Sequence, residues 1–201
     1  MAVRNESTRI METFLALLVG VGLSAACGFR VFVPMVVVSA AAWGGWLPLA
    51  PGFEWLGTLP ALIAFAVATA VEVASYYIPW VDNALDTVAG PAAMIAGTVL
   101  MASVIADVNP FLKWTLAIIA GGGTAATVQG MTTVARASSS ALSFGLLNPV
   151  LSTIEFIGSA GLAVLVIAVP LIGLLVLAVV VVLTVKFFRR SRRQVSTQAA
   201  A

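Results

Sequence analysis

Ionisable side chains are few in this chain, and their spacing limits the chemistry open to it. Glu72 lies in the middle of the apolar stretch 60–79, among Ala, Val and Phe, with Tyr76 one helical turn further along on the same face. A carboxylate at bilayer depth costs ~2.5–3.5 kcal/mol on insertion scales, so it must face a partner or a cavity. Two readings follow: a buried hydrogen bond between helices, or a binding site for an ion or proton. Asp82 and Asp86 stand four apart in Asp82-Asn83-Ala84-Leu85-Asp86-Thr87 and share a face if helical. With Asn83 and Thr87 their oxygens could begin a hard-cation site, although the ligand set falls short of a recognised motif, so no metal is assigned; helix capping explains them as well. Arg30 and Arg136 each follow a glycine-bearing apolar stretch. Near Asp82 and Asp86 they would form ion pairs at a charged mouth that selects a small ion. Glu155, beside Ser152 and Thr153, gains interest only if residues 150–162 dip into the membrane.

Other chemistries are absent. The sequence has no His and one cysteine, Cys27. No Ser-His or Cys-His pair, zinc set or phosphate loop exists, so neither an enzyme nor a cofactor is expected. Ten Lys or Arg and eight Asp or Glu among 201 residues make 9% charged, against 61% hydrophobic. Soluble domains carry roughly 25% charge, and so few charges cannot cover a soluble surface. The same figures exclude a disordered chain, a disulfide scaffold and a nucleic-acid binder.

The elements that must position these residues are therefore membrane helices. Apolar stretches at 10–28, 31–47, 60–79, 88–106, 113–135 and 150–187 predict an all-α, polytopic bundle of about six crossings. Leu47-Pro48-Leu49-Ala50-Pro51-Gly52 reads as a loop, and Asn109-Pro110 and Asn148-Pro149 as capped helix starts. The last stretch is too long for one pass: at 1.5 Å per residue it would reach roughly 57 Å against a ~30 Å core. No polar residue near Pro170 favours a turn, so the expectation is one crossing over 164–187, kinked at Pro170, with 150–162 interfacial or re-entrant. A rival arrangement makes 10–46 one broken pass and splits 150–187 in two. Arg4 and Arg9 before an apolar run resemble a signal peptide, but the segment reads as a retained helix.

Six crossings place both ends on one side. With Arg4, Arg9, Lys113 and the basic run Lys186, Arg189, Arg190, Arg192 and Arg193, that side is expected to be the cytoplasm, in a bacterial inner membrane. Residues 1–188 form the membrane domain and 189–201 a basic, polar tail. Trp43, Trp46, Trp55, Tyr76, Tyr77, Trp80, Phe111 and Trp114 fit interfacial belts.

An internal echo strengthens this organisation. Displacing the chain by about a hundred residues aligns Leu15-Ala16-Leu17-Leu18-Val19-Gly20-Val21-Gly22 with Leu116-Ala117-Ile118-Ile119-Ala120-Gly121-Gly122-Gly123. It suggests repeat halves over 10–106 and 113–188, as in many transport folds. Gly20, Gly22, Gly121, Gly122 and Gly123 either allow tight helix packing or, at the triple glycine, local unwinding that exposes carbonyls. Glycine-rich faces also suit a homo-oligomer, or equally a contact within one chain.

Three segments carry a family resemblance. The run from Leu23-Ser24-Ala25-Ala26-Cys27 through Gly28-Phe29-Arg30-Val31-Phe32-Val33-Pro34, then Tyr77-Ile78-Pro79-Trp80-Val81-Asp82-Asn83, and Ala120-Gly121-Gly122-Gly123, resemble a bacterial membrane family catalogued as a domain of unknown function, of the DUF4126 type. The resemblance spans nearly the whole chain up to the basic tail. It implies a small multi-helix inner-membrane protein and brings no activity or ligand with it.

The functional expectation is a small transporter or channel for an ion or polar solute within the lipid bilayer. Glu72 would be its central site, Asp82, Asn83 and Asp86 its acidic mouth, and Arg30 and Arg136 its gate. The alternatives are a non-transporting scaffold or assembly partner, and an anion pathway built on Arg30 and Arg136.

Overall fold

The computed structural model describes residues 6–75, 79–143 and 148–173, together with 175, 176, 178, 179, 182 and 186. The elements are α1 (Glu6–Phe29), α2 (Phe32–Trp43), a 3-10 turn (Glu54–Gly57), α3 (Leu59–Ser75), α4 (Pro79–Val104), α5 (Pro110–Leu116), a π-helical stretch (Ala117–Gly122), α6 (Gly123–Ser143) and α7 (Asn148–Ala168). Among the described residues there is no strand. The helices Glu6–Phe29, Pro110–Ser139 and Pro149–Ala168 are long and apolar enough to cross a membrane; Phe32–Trp43, Leu59–Ser75 and Val88–Val104 are shorter apolar helices.

Polarity is inverted relative to a soluble protein. Ile63, Val67 and Val71 form an outward stripe at helical spacing on α3, and Ile154, Ile157, Val164 and Leu165 face outward on α7. Arg30, Glu72, Arg136 and Glu155 are buried instead. Such an arrangement is stable only where the outer solvent is hydrocarbon. The protein is an all-α membrane helix bundle.

Neighbouring helices alternate in direction. The α1–α2 reversal takes place within Arg30-Val31, after which α2 descends until Leu47 and Leu49 lie beside Ala16 and Val104. The Ser39 hydroxyl donates to Leu56 O (2.5 Å), and the Ala50 amide to Ser103 O (2.7 Å), so the loop after α2 ties this end together. Gly45 (φ 75°) and Gly52 (φ 88°) make its turns in the left-handed region that glycine alone enters cheaply. Asn109 caps α5 as expected, accepting from the Leu112 amide at 2.8 Å, with Pro110 at the first helical position. The same end collects aromatics: Trp43, Trp46, Trp55, Phe111 and Trp114 are all exposed there. Phe53 lies 6.2 Å from the Trp114 ring, and Lys113 Nζ stands 4.7 Å over Phe53. An interfacial belt accounts for this clustering.

Small residues let α1 and the π stretch close on α4 from two sides. A Cβ at Gly20 or at Gly121 would collide with Met101, and the Ser24 hydroxyl donates to Gly20 O (2.7 Å) and Gly97 O (2.8 Å). The positions paired by the internal echo thus pack on one residue of α4. Gly22 meets Val166 of α7, whereas Gly123 has open space around it. The triple glycine does not unwind: the chain stays helical, widened to π geometry over Ala117–Gly122, which lets Gly121 and Gly122 approach α4 backbone.

The expectations for the last stretch are corrected. Residues 150–162 are not a separate segment but part of the continuous helix α7, which is long and apolar enough to cross a membrane. Helix 164–187 does not exist as one kinked rod. The helix ends at Ala168, and Ile172 N and Gly173 N bond back to Val169 O and Pro170 O in a turn. Gly173 then packs against Leu18 backbone, while Val176 packs beside Ala25 and Val128, so the chain has reversed and runs parallel to α1. Backbone hydrogen bonds satisfy this turn, so the polar side chains whose absence argued against it are not required. This extra leg leads Gly173 to Val176 back along α1, away from the end at which α1 begins. Tyr76 and the side chains of Trp80, Asp82, Asn83 and Asp86 lie outside the described residues; α4 carries the latter four in its first turns.

Close packing predicts an asymmetric response to one chemical change. Gly28 sits where a Cβ would fall 2.5 Å from Val128 Cβ and 2.7 Å from Ala125 O, whereas Gly130 has nothing within 4 Å. Gly28→Ala is expected to lose ~1–3 kcal/mol to overpacking. Gly130→Ala is expected to be neutral or to gain ~0.5–1 kcal/mol from helix propensity. Unfolding of both purified variants in the same detergent checks this.

Candidate functional site

A helix that stops inside a bundle leaves carbonyls at its end, and a helix that starts there leaves amides. Both kinds of group meet at Arg30-Val31, and side chains from two other helices answer them. Glu72, in the last turn and a half of α3, accepts from Val31 N with Oε1 (2.8 Å) and from Phe32 N with Oε2 (3.1 Å). No side chain local to α2 caps it, so Glu72 serves from a distance and sets its charge against the positive end of the helix dipole. On the α1 side, Ser159 Oγ donates to Ala26 O at 2.9 Å. Arg30 directly follows that end, where a cation suits the negative pole.

The guanidinium groups converge on α7. Arg30 Nη2 donates to Ser152 O (3.0 Å) and Ser152 Oγ (2.5 Å) and lies 3.4 Å from Glu155 Oε2. Arg136, from α6, grips the same carboxylate in two places: Nε donates to Oε1 at 3.0 Å, and Nη2 to Oε2. This two-point geometry is the strong form of a carboxylate–guanidinium pair. Residue exposures of 1% (Arg30), 6% (Arg136), 7% (Glu155) and 9% (Glu72) leave all four groups buried. Among the described residues, two guanidinium and two carboxyl groups thus share the interior, where desolvated charges need partners.

Two expectations about these residues change. Arg30 and Arg136 come together inside the bundle on Glu155, while their expected pairing with Asp82 and Asp86 falls on side chains outside the described residues. Glu72 is at depth and partnered, as its position required, but the partners are backbone amides. Glu155 was undervalued by its placement in an interfacial segment. The missed signal is Ser152, Glu155 and Ser159 at spacings of three and four, one polar face on an apolar helix. Cys27 is buried and free. Among the described residues no group of three or more His, Cys, Asp or Glu is placed to hold a metal ion.

A recess of about 290 Å³ borders Glu72. Val31, Phe32, Ala68, Val71, Ala89 and Ala92 are among its walls. It opens between α3 and α4, where Val71 and Val88 are exposed on the outer, lipid-facing surface.

A sequence model of the family described as Domain of unknown function (DUF4126) matches residues 17–190. The chain belongs to the DUF4126 family. The matched region holds the α1–α2 reversal, Glu72, Arg136 and α7, so the buried charges all lie within the DUF4126 domain. No curated protein and no solved structure matches the chain.

Removing one partner of the shared pair is predicted to be costly. Glu155→Gln leaves two buried guanidinium groups short of their carboxylate and should lose ~3–5 kcal/mol. Glu155→Leu combined with Arg136→Leu should recover part of that loss. Reversible unfolding of the single and double variants measures both, and a Glu155→Gln loss under about 1 kcal/mol would contradict a shared buried pair.

Proposed function

We propose that the protein is a small multi-pass transporter or channel for an ion or small polar solute, and not an enzyme. The observation that carries this reading is the meeting of Glu72, Arg30, Arg136 and Glu155 at a helix break inside a membrane bundle. Ionisable groups at depth are costly and mark ion paths or proton relays by default. Interrupted helices whose ends point at such groups are a recurring way to build a transport site. In this reading Glu72 meets the cargo with the lone pairs left over from capping α2. Arg30 and Arg136 compete for Glu155, so a charge change at one of them redistributes the bonds of the other. Asp82, Asn83 and Asp86 at the start of α4, with Tyr76, form the approach.

The protein is proposed to lie in a bacterial inner membrane with its basic tail in the cytoplasm. Arg189, Arg190, Arg192 and Arg193 follow Lys186 in the sequence, a basic run of the kind retained in the cytoplasm. An anion pathway on Arg30 and Arg136 is less favoured, because an anion would have to displace Glu155 from both. In a scaffold, the same bonds would simply hold α1, α6 and α7 together.

Flux into liposomes under separate cation, anion and proton gradients tests the proposal. The wild type is expected to dissipate at least one gradient, and folded Glu72→Gln to slow it by about tenfold or more, the loss of roughly 1.4 kcal/mol or more in the transition state. A folded wild type that moves nothing under any gradient overturns transport and leaves the scaffold.

A further inference from the structure

The recess beside Glu72 has a shape and a polarity that the ion-path reading does not use. Its volume of about 290 Å³ stands at the lower end of small-molecule pockets, roughly 300–1,000 Å³. Val31, Phe32, Ala68, Val71, Ala89 and Ala92 line it, and the Ser75 hydroxyl is turned away to Val71 O at 2.7 Å. Among the described residues on its wall, Glu72 carries the one ionisable group. Each Glu72 oxygen accepts one backbone amide, and a carboxylate oxygen has a second lone-pair site. The cap can therefore stay in place while the same carboxylate accepts a further donor.

The entrance matters as much as the floor. Val71 is 60% and Val88 57% exposed at the rim, on the surface that faces hydrocarbon. A fully hydrated inorganic ion has no favourable route through that opening. A molecule with an apolar body and one cationic nitrogen does, because it partitions into the bilayer and its charge finds a carboxylate at depth.

We infer that this recess binds a small lipophilic ammonium ion, taken up sideways from the bilayer, with its nitrogen on Glu72 and its apolar body against Ala68, Val71, Ala89 and Ala92. The inference rests on the transport reading for its purpose, since it names the class of ion carried. It stands or falls separately as a binding site. An acyl chain would fit the walls but would leave the carboxylate without a donor. An anion would face Glu72 directly.

Equilibrium binding in nanodiscs, without any gradient, tests it. The probe is 2-phenylethylammonium, compared with the neutral 2-phenylethanol and the anion 3-phenylpropionate of similar size. The ammonium ion is expected to bind saturably, and the other two at least about tenfold more weakly. Glu72→Gln, which keeps one amide-accepting oxygen for the cap, should abolish the preference for the cation. Ala68→Phe, which fills the recess from its wall and leaves the Arg30–Glu155–Arg136 bonds untouched, should abolish binding of all three. Equal binding of the three probes, or saturable cation binding that survives Ala68→Phe, overturns the inference. Binding without flux in the liposome experiment would keep this site and remove transport. Flux of inorganic ions without ammonium binding would do the reverse.

Discussion

A chain that reverses direction inside a membrane-embedded bundle exposes backbone groups with no water to meet them, and this protein does so within two residues, Arg30 and Val31. The amide side of the reversal is closed by Glu72 from α3, at 2.8 and 3.1 Å, and on the carbonyl side Ala26 O accepts from Arg30 N (3.2 Å) and from Ser159 Oγ of α7 (2.9 Å). Most of the remaining arrangement follows from those two requirements. Glu72 must reach α2 from the far end of α3, which fixes α3 antiparallel to α2. Ser159 must face Ala26, which turns Glu155 and Ser152 toward Arg30, one helical turn beyond. Arg136 then supplies the second cation on the Glu155 carboxylate. Each unmet group would cost several kcal/mol in hydrocarbon, so the bonds are interdependent.

Helix α4 is the strut against which this is built. Gly20 on α1 and Gly121 on the π stretch both leave room for Met101, and Gly97 receives Ser24 from one side and Ala125 from the other. The internal echo thus has a structural counterpart: two glycine-bearing helices, running in the same direction, pressed onto one partner. Dispersion and close backbone approach, rather than hydrophobic burial, hold helices together in lipid, and small residues at these contacts supply both.

Much of the architecture was legible from residue types. Scarce charges and apolar runs of membrane length gave the all-α membrane class, and Asn109-Pro110 gave a helix start in the expected geometry. The break at Gly28-Phe29-Arg30 was visible because a glycine, a charge and a nearby proline interrupt an apolar run. The turn at Pro170 was not, since its hydrogen bonds are backbone ones and leave no mark on side-chain polarity. Two of the clustered charges, Arg30 and Arg136, stood out in the sequence because each follows a glycine-bearing helix. Their shared partner was missed. Glu155 lies 19 residues from Arg136, on the next helix, and only the three-and-four spacing of Ser152, Glu155 and Ser159 marks the face that turns inward.

The central claim is that Glu72 holds the α1–α2 reversal closed, and amide hydrogen exchange at Val31 and Phe32 in nanodiscs measures it most directly. Both amides are predicted to be protected in the wild type. In folded Glu72→Ala they should exchange faster by about 5- to 30-fold, matching the ~1–2 kcal/mol of a lost helix cap. Fast exchange at both amides in the wild type, or protection unchanged by Glu72→Ala, would contradict the account.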